Sequence, residues 1–256
     1  MRLARGLSTA VSGLALSFFL FGCGTTTAGN PPDSAGVLAN IPVKLDGPVS
    51  LAVSSGIGDV DVKISAWDRG YVKVALVRSD YTSTKLDVLK AATEGGATLR
   101  ITVTPTSTLF SDLIHLRRPY ESISVRIPRQ AHLSLTTSNG AVDIEKVVGP
   151  ISVRTENGPV IISGAGSVVD VESKNGPIEV AVADTSRVPD IRVSLVDGPI
   201  QLSVPPKFKA DIQTRVTFGP VDVASSIQSG PGTVDLRTFA GPIEVVQGSE
   251  PDKDSP

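Results

Sequence analysis

The chain has 256 residues, of which 40% are hydrophobic and only 4% are aromatic, and its formal net charge is −2. This length suits one large domain or two average ones, and the composition suits a narrow core filled by Val, Ile and Leu. The near-neutral charge disfavours nucleic-acid binding, which usually requires a clustered basic excess.

Residues 1–22 are predicted to be a signal peptide. Arg2 and Arg5 precede an apolar stretch over residues 7–21, which at about fifteen residues is short for a membrane-spanning helix. The stretch ends in Leu-Phe-Gly followed by Cys23, an arrangement that resembles a bacterial lipobox. Cys23 is the only cysteine of the chain and has no disulfide partner within it. We expect Cys23 to be lipidated; the alternative is a plain secretory signal with a stray cysteine.

Lipidation of Cys23 would place the protein in the cell envelope. Palmitate-like acyl chains would anchor the lipoprotein in the membrane, since each buried methylene contributes about 0.8 kcal/mol. Gly24 follows, rather than the aspartate of an inner-membrane retention signal, which favours the outer membrane in a double-membraned bacterium. Residues 23–40 contain several threonines and prolines and are predicted to form a flexible tether.

Between residues 41 and 128 the pattern is less regular. Four apolar residues around Gly58 predict a first pair of strands: Leu51, Val53, Val60 and Val62. Alternation also predicts strands over 71–77 and 99–103, whereas the Lys, Leu and Ala content of 84–93 predicts one short surface helix. Residues 105–120 form the longest interruption, interpreted either as a loop that binds a partner or membrane surface or as a flap packed on the domain.

From residue 133 onward, one unit recurs around six glycines spaced roughly twenty residues apart, a period typical of repeat proteins. The glycines are Gly140, Gly158, Gly176, Gly198, Gly219 and Gly241. Apolar residues stand seven and five positions before each glycine and two and four positions after it, with Thr214 as the exception. The intervening residues are mostly polar, so each arm is predicted to be a strand with one buried and one exposed face.

The turn between the arms decides how they pair. Asn-Gly between alternating arms usually predicts a tight hairpin, closed by the N–H group of the residue after glycine. In five of the six units that residue is proline, which has no N–H group. Each arm is therefore expected to pair with the equivalent arm of a neighbouring unit. The predicted fold is all-β, a single-stranded β-helix or solenoid with coils of roughly 20 residues over residues 41–247, followed by a disordered tail at 248–256.

Two adjoining segments carry a family resemblance. The strand Ser124–Pro128 ends in proline and precedes residues 133–144, which contain Thr-Thr-Ser-Asn-Gly. This pattern resembles the DUF4097 family of bacterial β-solenoid proteins, often labelled adhesins, over residues 41–246. The resemblance implies a β-solenoid fold and an adhesin-like role, and it implies no reactive site.

The candidate site is an outward row of side chains three positions after each glycine. The row contains Asp61, Asp143, Ile161, Glu179, Gln201, Asp222 and Glu244. Four of these residues form a candidate acidic column: Asp143, Glu179, Asp222 and Glu244. Neighbours in a stack lie about 4.8 Å apart, so Asp222 and Glu244 could share a cation or act as general acid and base. The alternative is that the row only keeps the surface soluble.

Other chemistry finds little support in the sequence. His115 and His132 lack the spacing of a metal site, and no nucleophile or phosphate-binding motif is present, so no metal or cofactor is expected. Hydroxyl residues near the corners are interpreted either as stacked ladders or as a saccharide-contacting surface: Thr137, Thr155, Ser173 and Thr238.

The sequence therefore predicts a non-enzymatic, lipid-anchored envelope protein that acts as a binding, adhesin-like or structural module. Its expected partners are the membrane and an envelope polysaccharide or protein, with no nucleic acid. The alternatives are a carbohydrate-active β-helix enzyme that uses surface carboxylates and an accessory protein of envelope-stress signalling.

Overall fold

The structure is a computed structural model that describes residues 26–29, 36–42, 49–55, 59–79, 83–93, 96–106, 120–184 and 190–248. The predicted signal peptide, Cys23, most of the interruption at 105–120 and the predicted tail beyond Gly248 lie outside these ranges. Within them every regular element is a β-strand. No helix among them is long and apolar enough to span a membrane.

The described residues form twenty strands. Those before the glycine repeat are β1 (Thr26–Gly29), β2 (Gly36–Pro42), β3 (Val49–Ser55), β4 (Asp59–Trp67), β5 (Tyr71–Ser79), β6 (Ser83–Thr93), β7 (Gly96–Thr106) and β8 (Tyr120–Pro128). Those of the repeat are β9 (His132–Asn139), β10 (Val142–Glu145), β11 (Ile151–Asn157), β12 (Val160–Ala165), β13 (Val169–Asn175), β14 (Ile178–Val182), β15 (Ile191–Asp197), β16 (Ile200–Val204), β17 (Lys209–Phe218), β18 (Val221–Val223), β19 (Gln228–Ala240) and β20 (Ile243–Gln247). β1 and most of β2 lie within residues 23–40, for which the sequence predicts a tether.

The strands build two mostly parallel sheets. In the first sheet, made of strands that precede the corners, the parallel order is β7–β3–β9–β11–β13–β15–β19–β17. In the second sheet, made of strands that follow the corners, it is β8–β4–β10–β12–β14–β16–β20–β18. Antiparallel strands extend one end of each sheet: β6 and then β1 beside β7, and β5 and then β2 beside β8.

The buried faces of the two sheets share one core. We use the word coil for the two strands that flank one corner, and we name a coil by its glycine or by its strands. Equivalent residues align between coils, as Val160 does with Ile178. Inside the stack, the aligned side chains of one column are each at most 1% exposed: Val142, Val160, Ile178, Ile200 and Ile243. Each contributes about 1.5–3 kcal/mol by leaving water.

The order of the coils follows the sequence only in the middle of the stack. From Gly140 to Gly198, each coil pairs with the next one along the chain. At the C-terminal end the Gly241 coil pairs with the Gly198 coil, and the earlier Gly219 coil lies outside it. At the other end the β7/β8 coil lies outside the earlier β3/β4 coil. The stack therefore departs from simple sequence order at both ends.

The predicted surface helix at residues 84–93 is also wrong. This segment belongs to β6, which pairs antiparallel with β7 along its whole length, from Ser83 opposite Thr106 to Thr93 opposite Gly96. Helix propensities differ by less than about 0.7 kcal/mol among ordinary residues. Pairing with the adjacent strand outweighs so small a preference.

In the β3/β4 coil, β3 keeps the register that an alignment on Gly58 predicts, with Leu51 opposite Leu133, but β4 is offset from it. Val142 pairs with Val62 and Ile144 with Ile64, two positions later than an alignment on Gly58 predicts. Val62 and Ile64 are accordingly buried in the core columns. Asp143 consequently lies beside Lys63, so Asp61 does not belong to the outward row.

Candidate functional site

The six corner glycines are required by the close approach of successive coils. Each has a positive φ, between 114° at Gly140 and 145° at Gly219. A Cβ atom added at Gly176 would lie 2.5 Å from the carbonyl oxygen of Gly158, and one at Gly198 would lie 2.5 Å from that of Gly176. Both the dihedral angle and the backbone contact exclude any larger residue.

The prolines after the glycines fit the corner because hydrogen bonds run between coils. Gly158 donates its N–H to the carbonyl of Asn175 at 3.1 Å, and Val160 donates to that of Pro177 at 2.9 Å. An N–H group at the residue between these two donors would have no acceptor in this ladder, and the residue there, Pro159, has no N–H group. Where alanine replaces proline, at Ala141, the N–H is bound by the Oδ1 atom of Asp61 at 2.7 Å. Asp61 thus completes the corner in place of a proline.

Polar side chains next to the corners serve the interior of the fold. The four hydroxyl residues of the sequence pattern are at most 6% exposed, so they do not form a saccharide-contacting surface: Thr137, Thr155, Ser173 and Thr238. The hydroxyl of Ser173 donates to the carbonyl of Asn175 at 3.4 Å rather than to an equivalent hydroxyl. The side-chain ladder is instead formed by asparagines, because Asn175 donates to Asn157 at 2.8 Å and Asn157 to Asn139 at 2.9 Å. The repeated Asn-Gly motif was the sequence signal from which this asparagine ladder could have been predicted.

The candidate acidic column is divided along the second sheet. Asp143 forms an ion pair with Lys63 at 2.9 Å, and Ile161 separates it from Glu179. Glu179 is exposed beside Gln201, whose Nε2 atom lies 3.5 Å from the carboxylate of Glu244. Within the described residues no group of three or more His, Cys, Asp or Glu side chains is arranged to hold a metal ion.

Asp222 and Glu244 are the two acidic residues of the column that stand side by side. They are paired residues on β18 and β20, and both are exposed. Two carboxylates on neighbouring strands repel each other unless a cation or a proton lies between them.

At the other end of the column, Lys63 forms ion pairs with two carboxylates. Its Nζ atom lies 2.7 Å from Glu145 and 2.9 Å from Asp143. The hydrogen bonds that Lys63 donates to Glu145 and then to Asp143 raise the pKa of Lys63 above its usual value. Because the pKa of Lys63 is higher in the folded state than in the unfolded state, its charged form stabilises the fold at any pH below the unfolded-state pKa of about 10.4. This stabilisation is lost as the pH rises through the folded-state pKa. Lys63 therefore remains charged throughout the neutral range.

The outer face of the first sheet carries complementary charges in adjacent coils. Arg154 pairs with Glu172 at 2.9 Å, and Lys174 pairs with Glu156 at 2.7 Å, so the signs are reversed between the two rows. The hydrogen bond to Glu172 raises the pKa of Arg154 further above its usual value. A shallow trough of about 400 Å³ lies between these side chains. The four groups neutralise one another, and because they are exposed they add little to the stability of the sheet.

Comparison with known protein families and with curated proteins gave no match. Among solved structures, the chain is similar to a "putative cell adhesion protein" from Clostridium sporogenes, with a TM-score of 0.48 and 10% identity over 84% of this chain and 100% of that one. It is also similar to a "putative lipid binding protein" from Parabacteroides distasonis, with a TM-score of 0.19 and 11% identity over 81% of this chain and 95% of that one. Neither likeness bears on function.

Proposed function

We propose that this chain is an exported, lipid-anchored β-solenoid of the cell envelope that acts as a non-enzymatic, adhesin-like binding module. The observation that carries the proposal is the register between coils. Equivalent outward side chains follow one another from strand to strand, as Arg154, Glu172 and Ser194 do, over a core whose columns are almost fully buried. Such a sheet presents polar groups at a repeat of about 4.8 Å on a rigid support. This geometry suits an extended partner that makes many weak contacts.

The partner we propose is an envelope polysaccharide or an envelope protein. Polymers offer repeated hydroxyl and charged groups, which hydrogen bond to a row of polar side chains at regular spacing. The lipid anchor at Cys23 would keep the module at the membrane surface, where it meets such a partner. The DUF4097 resemblance agrees with this role and remains part of the proposal.

A carbohydrate-active enzyme is the second candidate, and one observation favours it. Asp222 and Glu244 are paired residues on adjacent strands, and retaining glycosidases use two carboxyl groups about 5–5.5 Å apart. Release of reducing sugar from an envelope polysaccharide, lost in Asp222→Asn, would support the enzyme. Equal inactivity of the unaltered chain and the variant would remove this candidate.

The test of the binding module is capture on an array of envelope polysaccharides by the full chain in a non-ionic detergent. We expect saturable binding to at least one polymer. A chain that is folded, by circular dichroism, and binds neither a polysaccharide nor a purified envelope protein would contradict the proposal. Saturable binding only to a purified envelope protein would identify a protein rather than a polysaccharide as the partner.

A further inference from the structure

A cluster of basic and aromatic side chains lies on the second sheet, apart from the acidic column. Trp67, at the end of β4, is the only tryptophan of the chain. Its ring packs edge-on against Tyr71 with centroids 4.6 Å apart, and its Nε1 atom donates to the carbonyl of Tyr71 at 2.8 Å. These contacts tie the two ends of the β4–β5 turn together. The rings therefore form a fixed platform rather than a mobile tip.

Two arginines are held against this platform. The guanidinium carbon of Arg69 lies 5.3 Å from the centre of the Trp67 ring, and that of Arg126 lies 5.7 Å from it. Arg69 also donates to the Tyr71 hydroxyl at 2.8 Å. A cation over an aromatic ring gains about 0.5–1 kcal/mol at an exposed site. The rings orient the guanidinium groups, while Arg126 keeps its N–H donors free of any carboxylate among the described residues.

Lys73 brings a further positive charge to the same place. It is the residue directly opposite Arg126 in the antiparallel β5–β8 pair. Like charges at directly opposed positions destabilise a sheet. Within the described part of the chain, neither residue forms an ion pair with an acidic side chain, whereas Arg129 pairs with Asp68 at 2.6 Å. The arrangement weakens the sheet unless an external anion lies between the two cations.

The charge of this cluster opposes that of the whole chain. We call the cluster the cationic–aromatic patch, and its members are Trp67, Asp68, Arg69, Tyr71, Lys73, Arg126 and Arg129. Four basic residues and one acidic residue give the patch a formal charge of +3, in a chain of net charge −2. An anionic ligand is therefore attracted to this part of the surface.

We propose that the cationic–aromatic patch binds the oxyanion groups, phosphate or carboxylate, of an anionic envelope polymer. The proposal rests on the binding role proposed above and assigns it a ligand class and a site. Arginine offers a planar fork of donors that fits either oxyanion, and the neighbouring lysine adds a point charge. The described large apolar side chains that are exposed lie elsewhere: Ile161, Val168, Val196, Phe218, Val221 and Phe239. The patch therefore lacks the exposed aliphatic side chains that would strengthen binding to a lipid surface, which favours a hydrated polymer.

Trp67 allows binding at the patch to be measured directly. Because it is the sole tryptophan, the emission of the full chain in non-ionic detergent reports on the ring that both arginines contact. We expect inorganic polyphosphate or polygalacturonate, at 150 mM salt, to change this emission with saturation. The phosphate and carboxylate polymers are titrated separately, and the polymer with the lower dissociation constant identifies the preferred oxyanion.

Two double variants decide whether the patch is the site. Lys73→Gln with Arg126→Gln should weaken binding by at least about tenfold, since each lost charge-assisted hydrogen bond is worth about 1.4 kcal/mol or more. Lys209→Gln with Arg215→Gln removes the same charge from exposed positions on β17 and should change the dissociation constant by less than about twofold. If the first pair fails to fold, Arg69→Gln in the turn replaces it.

Any of four outcomes would overturn the site. One is the absence of any emission change with both polymers; another is equal weakening by the two double variants, which indicates general charge attraction. The third is binding confined to phosphatidylglycerol vesicles, which indicates a membrane surface. A polymer captured on the array with unchanged affinity for the Lys73 and Arg126 variant would refute the patch and leave the binding module standing.

Discussion

Gly176 shows how strictly a single residue is specified in this fold. Its φ of 115° and the carbonyl oxygen of Gly158, 2.5 Å from a Cβ at this position, leave no room for a side chain. We expect Gly176→Ala to lower the free energy of unfolding by at least about 2 kcal/mol, through strain and displaced coils. Denaturant unfolding measures the loss.

Gly248→Ala is the matched control. A Cβ there would lie 3.6 Å from the nearest atom, the carbonyl oxygen of Val204, which is an ordinary contact. This variant should change the free energy of unfolding by less than about 0.5 kcal/mol. Equal losses in the two variants would contradict the requirement for glycine at the corner.

Residues of the cationic–aromatic patch illustrate what the sequence could not reveal. Trp67 and Tyr71 are close in the chain, but Arg126 joins them only because β8 lies between β4 and β5 in the second sheet. Each residue by itself resembles an ordinary exposed strand or turn residue. The acidic column, in contrast, lies at a fixed position of the repeated unit and was visible as a pattern, although the offset of β4 removed Asp61 from the outward row that contains the column.

At the level of strands, burial follows the alternation that the sequence shows. Ile178 is completely buried, whereas Ile161 is on the outward face and 39% exposed. We expect Ile178→Asp to reduce the free energy of unfolding by at least about 3 kcal/mol, because it places an unpaired charge in the core column. Ile161→Asp should cost less than about 1 kcal/mol, its main effect being repulsion from nearby carboxylates. An unchanged melting temperature of the Ile178 variant would refute the assignment of the column.

The corner between β9 and β10 offers a test of why proline recurs. Asp61→Ala should destabilise the fold by about 1–3 kcal/mol, since the N–H of Ala141 loses its acceptor. Ala141→Pro removes that N–H, so adding it to Asp61→Ala should recover part of the loss. A double-mutant cycle measured by denaturant unfolding gives the coupling. Strictly additive effects would show that the hydrogen bond does not matter at this corner.

Strand identity was predictable where periodicity was strong and failed where only composition was available. The arms from Leu133 onward alternate apolar and polar residues, and the structure pairs them as strands. The segment 84–93 contains helix-forming residues, but its partner β7 determines its conformation. β7 begins only three positions after the end of β6, so the pairing is between neighbouring strands, and the residue composition of β6 alone does not encode it.

We propose that Cys23 determines where the whole molecule lies in the cell. Replacing it in Cys23→Ala removes the thiol that lipidation needs, so the protein should move from the membrane fraction to the soluble fraction of the envelope. Thr25→Ala, two residues beyond the lipobox, is the control and should leave the distribution unchanged. Persistence of the Cys23 variant in the membrane fraction would show that no lipid anchor forms there.

The order of coils is the feature of the whole molecule that sequence patterns do not determine. All units share the same glycine, the same apolar columns and nearly the same length, so each arm matches several possible neighbours equally well. The placement of the Gly219 coil outside the Gly241 coil is thus decided by packing across the complete stack. The outermost coil buries less, and Val221 in its core column is 45% exposed.

This exchange of the last two coils changes how the C-terminal end opens. In a stack built in sequence order, the final strands are bonded on one side only and fray from a free chain end. Here β20 is held between β16 and β18, and β19 between β15 and β17. The less protected strands, β17 and β18, are continued by the chain on both sides, so they open as an internal segment rather than by fraying from a chain end.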